Sequence, residues 1–217
     1  CVTSLGACNV PVDEWELDIV ASGSQKGYMI PPGLSFIAMS QKAWEAAEKS
    51  NLPKFYLNLK SYRKSLLSNS NPYTPAVNLV FALDEALKMM REEGLDNIFL
   101  RHNKHKLAMS NAVKALNLKL FADEKYLSPS ITAIKTEGID AEEFRKTIKN
   151  NFDILLAGGQ DHLKGKIFRV GHLGYVNDRD IITVVSAISN TLLDLGKITS
   201  QQAGEALVVV SRYLEGN

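Results

Sequence analysis

An α/β unit followed by a smaller α+β unit is the fold class that this chain predicts, on three observations. Two apolar runs, each bounded by turn formers, lie before position 40. A helical period then holds from Pro75 to about Ala115. Beyond it, short strand-like runs alternate with helical ones, and strands mixed with helices at this spacing indicate such layers.

The elements follow in order. Leu17–Ala21 and Leu34–Met39 read as interior strands, joined by a Gly-, Ser- and Pro-containing stretch from Ser22 to Gly33. The opening Cys1–Gly6 reads as a further β-like run. Ser40 caps a helix through Lys49. Pro53, Pro72, Pro75 and a run of Asn and Ser mark residues 50–75 as connecting chain, with at most one short element around Tyr56–Leu59. Val77, Val80, Phe81, Ala86, Leu87 and Met90 keep a helical stripe that Gly94 ends. A second helix runs from Leu95 to about Ala115, with strands near 118–121, 131–135, 154–157 and 167–172 and helices near 140–150, 178–195 and 199–214. Asp140 with Glu143, and Thr199 with Gln202, fit capping boxes, and Asp178 reads as an N-cap. The division is expected at 1–94 and 95–217.

Composition narrows the function classes. There are 25 Lys+Arg against 24 Asp+Glu, a formal charge of +1, which provides no electrostatic footprint for nucleic acid or an anionic membrane. Apolar residues at 45% and charged residues at 23% suit an ordinary globular chain. No run approaches a membrane span, and no basic-then-apolar secretory segment opens the chain, so a cytoplasmic location is expected. Cys1 and Cys8 close no long loop, and without a Cys/His cluster they make no zinc site. His102 and His105 stand among Arg101, Lys104 and Lys106, which reads as a solvated basic patch rather than a metal site. His172 reads as structural, and Gly158-Gly159 as a turn after an apolar strand.

Lys26 carries the chemistry. It follows an apolar run, sits among Gly23, Ser24, Gln25 and Gly27, and precedes a stiff Pro31-Pro32-Gly33 turn. Small neighbours let backbone approach a ligand, and prolines hold a loop in one shape. A partly desolvated lysine amine can form a Schiff base with a carbonyl. Spacing alone favours a solvated turn lysine.

The wording of the segment is more specific. Asp18-Ile19-Val20-Ala21-Ser22-Gly23-Ser24-Gln25-Lys26-Gly27 followed by Pro31-Pro32-Gly33-Leu34-Ser35 resembles the lysine segment of class V aminotransferases. Tyr73-Thr74-Pro75 and Phe168-Arg169-Val170-Gly171-His172-Leu173-Gly174 carry the resemblance further along the chain, in the same order. The nearest likeness is to alanine–glyoxylate and serine–pyruvate aminotransferases, including a cyanobacterial branch labelled a soluble hydrogenase subunit. These are fold-type I pyridoxal-phosphate enzymes. The resemblance therefore implies the C-terminal part of a large α/β domain, then the small α+β domain.

It also implies roles. Lys26 would hold pyridoxal 5'-phosphate as a Schiff base and then move the substrate's Cα proton. Gln25 would make a polar contact with the cofactor. Thr74 would reach the cofactor phosphate of a neighbouring subunit, so the site would need a homodimer. A tyrosine that relatives place three residues before that threonine is here Asn71. Arg169 would bind the substrate carboxylate; its apolar neighbours Ile167, Phe168 and Val170 make an anionic partner necessary. Desulfurases of the wider group place a histidine before the lysine and a later reactive cysteine; here Gln25 precedes Lys26 and no cysteine follows Cys8.

The family's aspartate partner to the pyridine nitrogen would fall just before Cys1, and its phosphate-binding turn earlier still. The resemblance thus implies that this chain corresponds to the latter half of such an enzyme and needs the upstream half as a partner, with exposed strand edges and poor solubility when alone. The function expected is transamination of a small amino acid with glyoxylate or pyruvate. The alternative is a non-catalytic interaction subunit retaining the fold.

Overall fold

Caps and turn formers decide where most elements begin. The computed structural model describes residues 1–215 and divides into two compact units. Cys1–Val2 with Val10–Glu92 form the first; Thr3–Asn9 with the chain from Glu93 onward form the second.

In the first unit, β1 (Ile19–Gly23) pairs antiparallel with β2 (Ser35–Met39), Ile19 opposite Met39 and Gly23 opposite Ser35. Val20 and Ser22 are buried while Ile19 and Ala21 are exposed. Successive side chains alternate across a strand, and a two-stranded ribbon covers one face only. The expectation of interior strands is corrected on that ground. Ser40 caps α1 (Gln41–Lys49): its hydroxyl accepts from the Ala43 N–H at 3.1 Å and donates to Asp18 Oδ1 at 2.7 Å.

Residues 50–75 hold more structure than their prolines and serines suggest. A nine-residue helix, α2 (Leu59–Leu67), starts where Asn58 Oδ1 accepts the Lys60 N–H. Leu, Lys and Arg favour helix strongly enough to fill the gap between two prolines. Tyr73 is stacked against Tyr56 at 4.8 Å and Tyr62 at 6.0 Å between ring centroids, and its hydroxyl donates to the Phe55 carbonyl at 3.0 Å. The Arg63 guanidinium lies 4.7 Å from the Trp44 ring centroid, whereas Trp15 is largely exposed. The helix α3 (Val77–Glu93) buries Ala86 and Met90.

The second unit holds the larger core. Its helix α4 (Leu95–Ala115) starts after Gly94, whose φ of +83° lies in the left-handed region that suits glycine. Four strands follow in the spatial order β3 (Lys119–Leu120), β4 (Ile131–Lys135), β6 (Ile167–Gly171), β5 (Ala157–Gly158), every pair antiparallel. One face is covered by α4, α5 (Ala141–Phe152), α6 (Asp178–Asp194) and α7 (Ser200–Glu215), whose apolar stripes meet Ile134, Phe168 and Val170 in a single cluster. Phe144 and Phe168 lie 5.1 Å apart by ring centroid. Each such ring contributes roughly 2–3 kcal/mol by leaving water.

Three local expectations are corrected. Residues 2–7 form turns closed by the Ser4 carbonyl, which accepts from Ala7 and Cys8 N–H groups, so the opening run is not a strand. The cap of α6 is Asn177, which shares a capping box with Asp180; Asp178 spends its carboxylate on Lys104 and His105 instead. Gly158 is no turn residue but half of the short edge strand β5. The Thr199–Gln202 box forms in both directions, at 2.9 and 3.2 Å. No helix among the described residues is long and apolar enough to cross a membrane.

Candidate active site

Lys26 sits on the turn that follows β1, half-buried, with exposed Gln25 before it and buried Gly27 after it. Its carbonyl accepts the Met29 N–H at 3.0 Å. The loop is closed by a residue that sequence reasoning noted only for being small. Ser24 is fully buried; its N–H donates to the Leu34 carbonyl at 3.1 Å and its carbonyl accepts from Ile30 at 3.3 Å. Its hydroxyl donates to the Pro31 carbonyl at 2.8 Å and accepts the Leu34 N–H at 3.1 Å. Four bonds from one serine therefore hold both ends of the segment that displays Lys26. Gly33 completes the return, at φ +144°, with Leu79 Cδ1 only 2.5 Å from where a Cβ would sit.

Two positions before Ser24, Ser22 Oγ is buried with no hydrogen-bond partner. Val20, Ser22 and Ser24 are the buried positions of one period-two stripe. That alternation was the signal that could have singled out both serines, since polar side chains on a buried stripe need partners.

Thr74 lies elsewhere in the first unit, in the chain between α2 and α3, and is exposed, as is Asn71. The stacking of Tyr73 among Tyr56 and Tyr62 anchors the residue before it. No hydrogen bond joins Thr74 to the Lys26 turn among the described residues.

Arg169 belongs to the second unit. Strand alternation sends its buried neighbours Phe168 and Val170 into the core and leaves Arg169 half-exposed on the other face, between Ala133 of β4 and Ala157 of β5. Its Nε donates to the Gly158 carbonyl at 2.9 Å. No carboxylate lies within ion-pair distance of it among the described residues, so the Nη edge of the fork has no anionic partner. The expected anion is not supplied by this unit. A guanidinium with one edge fixed and the other open suits an incoming carboxylate.

His102 and His105 correct the expectation of a solvated patch: both are fully buried. Their i, i+3 spacing turns them inward while Arg101 and Lys104 bridge the rim. His102 Nδ1 lies 2.7 Å from the Ile98 carbonyl and Nε2 accepts the Gly174 N–H at 3.2 Å. His105 Nε2 lies 2.9 Å from Asp178 Oδ1. Burial pushes both imidazoles below their ordinary pKa; for His105 the Asp178 carboxylate opposes this. Burial also works against the charge of Asp178, but hydrogen bonds from Lys104 and His105 outweigh it and hold the carboxyl below its usual value. Arg101 donates from Nε and Nη2 to Glu93 at 2.6 and 2.9 Å, and from Nη1 to the Gly174 and Val176 carbonyls at 2.9 and 3.0 Å. His172 is likewise buried and bonded at both ring nitrogens, which agrees with a structural part.

Comparisons with known proteins converge on one group. A family model described as aminotransferase class-V matches residues 1–177. A protein of Synechococcus sp. (strain PCC 6716) named soluble hydrogenase, small subunit, is 56% identical over 213 residues, covering 98% of this chain and 55% of the relative. The soluble hydrogenase 42 kDa subunit of Anabaena cylindrica is 58% identical over 195 residues, covering 90% and 51%. Among solved structures, ureidoglycine–glyoxylate aminotransferase of Bacillus subtilis superposes with a TM-score of 0.88 at 30% identity, over 97% of this chain and 56% of that one. The chain thus spans about half the length of the relatives it matches.

Proposed function

This chain belongs to the class-V aminotransferase family, with the fold of the fold-type I transferases, and we propose that it forms the lysine-bearing and substrate-carboxylate-binding part of a pyridoxal-phosphate-dependent aminotransferase. The observation that carries the reading is the Lys26 turn, displayed from a loop that Ser24 closes at both ends. The donor set fits a phosphorylated aldehyde: a primary amine at Lys26, an exposed carboxamide at Gln25 and an exposed hydroxyl at Thr74.

Pyridoxal phosphate, when bound, supplies an electron sink that lets the Cα proton of an amino acid leave. The chain's own residues do the rest. Lys26 would hold the cofactor through Nζ, and its free amine would take and return the Cα proton. Gln25 would offer its amide to the cofactor. Thr74 would offer its hydroxyl to the cofactor phosphate of a neighbouring subunit, which would make a homodimer the working form. Arg169, with its Nη edge open, would bind the substrate α-carboxylate. Residues 1–94 act as part of the cofactor-holding domain and 95–217 as the small domain, with the upstream half of the enzyme as partner. Relatives named serine–glyoxylate and L-aspartate–glyoxylate aminotransferases support a small amino donor with glyoxylate as acceptor; pyruvate is the other acceptor proposed.

A second reading has its own observation: the two most identical relatives reported above are named as hydrogenase subunits. In that case the chain retains the fold as an interaction subunit. Borohydride reduction after addition of pyridoxal phosphate, with peptide mass analysis, separates the two. Stable pyridoxyl label confined to Lys26 in the presence of the upstream half, and lost in Lys26→Ala, is the result expected of the enzyme. Label spread over surface lysines with and without that half would remove the cofactor role and favour the interaction subunit.

A further inference from the structure

We propose that Arg145 and Glu142 are positioning residues for Arg169, acting through the edge strand β5. This inference rests on the carboxylate-binding reading of Arg169 and deepens it. The strand β5 is two residues long, and its ladder to β6 pairs only Ala157 with Arg169 and Gly158 with Phe168. So short an edge needs a second anchor to hold one place. Helix α5 supplies it. Arg145 Nε donates to the Leu156 carbonyl at 2.8 Å, immediately before the strand, and Arg145 Nη1 donates to Glu142 Oε2 at 2.8 Å.

The pair occupies the space that a side chain at position 158 would need. A Cβ at Gly158 would lie 2.5 Å from Arg145 Nη1 and 2.6 Å from Glu142 Oε1. Glu142 Oε1 is buried there with no hydrogen-bond partner. A carboxylate oxygen left unpaired is costly, so something holds it in place; its other oxygen is held by Arg145. Gly158, with this pair against its Cα and Phe168 of β6 opposite it, accepts from Arg169 Nε through its carbonyl. With Nε so engaged, the guanidinium cannot receive a carboxylate on its Nε/Nη2 side. It is left to bind end-on, through Nη1 and Nη2 together, the arrangement that suits a single planar α-carboxylate. Arg145 thus selects which edge of Arg169 faces substrate without touching substrate.

The test is NMR on the intact protein with its Arg169 Nε–H assigned, using pyruvate as the titrated probe. Arg169 Nε–H is expected to exchange slowly with solvent and to stay nearly unshifted as pyruvate binds. Arg145→Leu should speed that exchange at least about tenfold and weaken pyruvate about five- to tenfold, with α6 amide exchange unchanged. Arg145→Lys should not restore the protection, because an ammonium cannot serve Leu156 and Glu142 with the same fork. Gly158→Ala, which presses only on side-chain ends, should shift Arg169 in the same direction and guards against misfolding of the first variant. Unchanged exchange and affinity in both Arg145→Leu and Gly158→Ala would overturn the proposal and leave the substrate reading standing. Faster exchange in the variants with no pyruvate binding even in the parent would support the positioning and sink the substrate reading.

Discussion

The Thr132 hydroxyl lies 2.9 Å from His172 Nε2, and the Pro129 carbonyl lies 3.0 Å from Nδ1 of the same ring. A carbonyl only accepts, so Nδ1 carries the proton and Nε2 takes the threonine's. Burial keeps the ring neutral by pushing its pKa from 6.5 down to about 4, with His105 and His102 adding to the effect. The unfolded chain takes up the proton first as pH falls. Stability is therefore intact above about pH 6.5, drains between 6.5 and 4, and levels off below. The loss expected is about 3 kcal/mol. Urea unfolding of the second unit at pH 7.5 and 4.5 measures it. His172→Gln should reduce the dependence, leaving the share of the buried His102 and His105; an undiminished slope would assign it elsewhere.

Ser24→Ala removes one hydroxyl and strands two backbone groups, the Pro31 carbonyl and the Leu34 N–H. A buried unsatisfied group costs about 1–3 kcal/mol, so a loss in that range is expected from chemical denaturation of the first unit. Lys26 labelling by borohydride should fall with it, because the loop no longer has a single shape. Labelling at the parental level in a destabilised Ser24→Ala would show that the loop is held by other means.

Gly33→Ala should be worse than its size suggests. The methyl meets Leu79 Cδ1 at 2.5 Å, and φ of +144° disfavours any L side chain. A cost of about 1–3 kcal/mol follows. Leu79→Ala in the same chain should recover the steric part but not the backbone part, leaving the double variant between Leu79→Ala alone and the sum of the two single losses.

Arg101→Lys tests whether shape or charge matters at the rim of the buried histidines. Lysine keeps the charge but cannot reach Glu93, Gly174 and Val176 from one plane. The expected loss is roughly 2 kcal/mol. Arg101 holds the Glu93 carboxyl below its usual range through that hydrogen bond, with burial opposing it, so the Glu93 pKa should rise towards normal in the variant. Carboxyl NMR titration reads this directly; an unmoved Glu93 would mean the pairing does not persist in solution.

Much of this fold could be read from periodicity and caps. Thr199 with Gln202 marks a helix start that the backbone keeps, and Ser40 begins α1 as expected; Asp140 caps α5, accepting from the Glu142 and Glu143 N–H groups, without the return bond from the Glu143 side chain that the expected box needs. Lys26 is singled out by the resemblance of its whole segment, not by its small neighbours, which a solvated turn lysine also has. Other features were hidden for physical reasons. Asn58 begins a helix inside a stretch punctuated by prolines, because the helix-forming run between them is just long enough. His102 and His105 lie among basic residues in sequence, but burial depends on which helix face meets the sheet, and charged neighbours one position away point elsewhere. The partner of Arg169 is a backbone carbonyl, which no side-chain pattern announces.

The placement of the tryptophans has an optical consequence. Both of them, Trp15 and Trp44, belong to the first unit, with Arg63 over Trp44, while the three longest helices of the second unit, α4, α6 and α7, have none. Indole emission therefore monitors the Lys26-bearing unit alone, and far-ultraviolet dichroism is dominated by the Arg169-bearing one. Two spectrometers on one sample can therefore show whether the two units melt together, without any added dye.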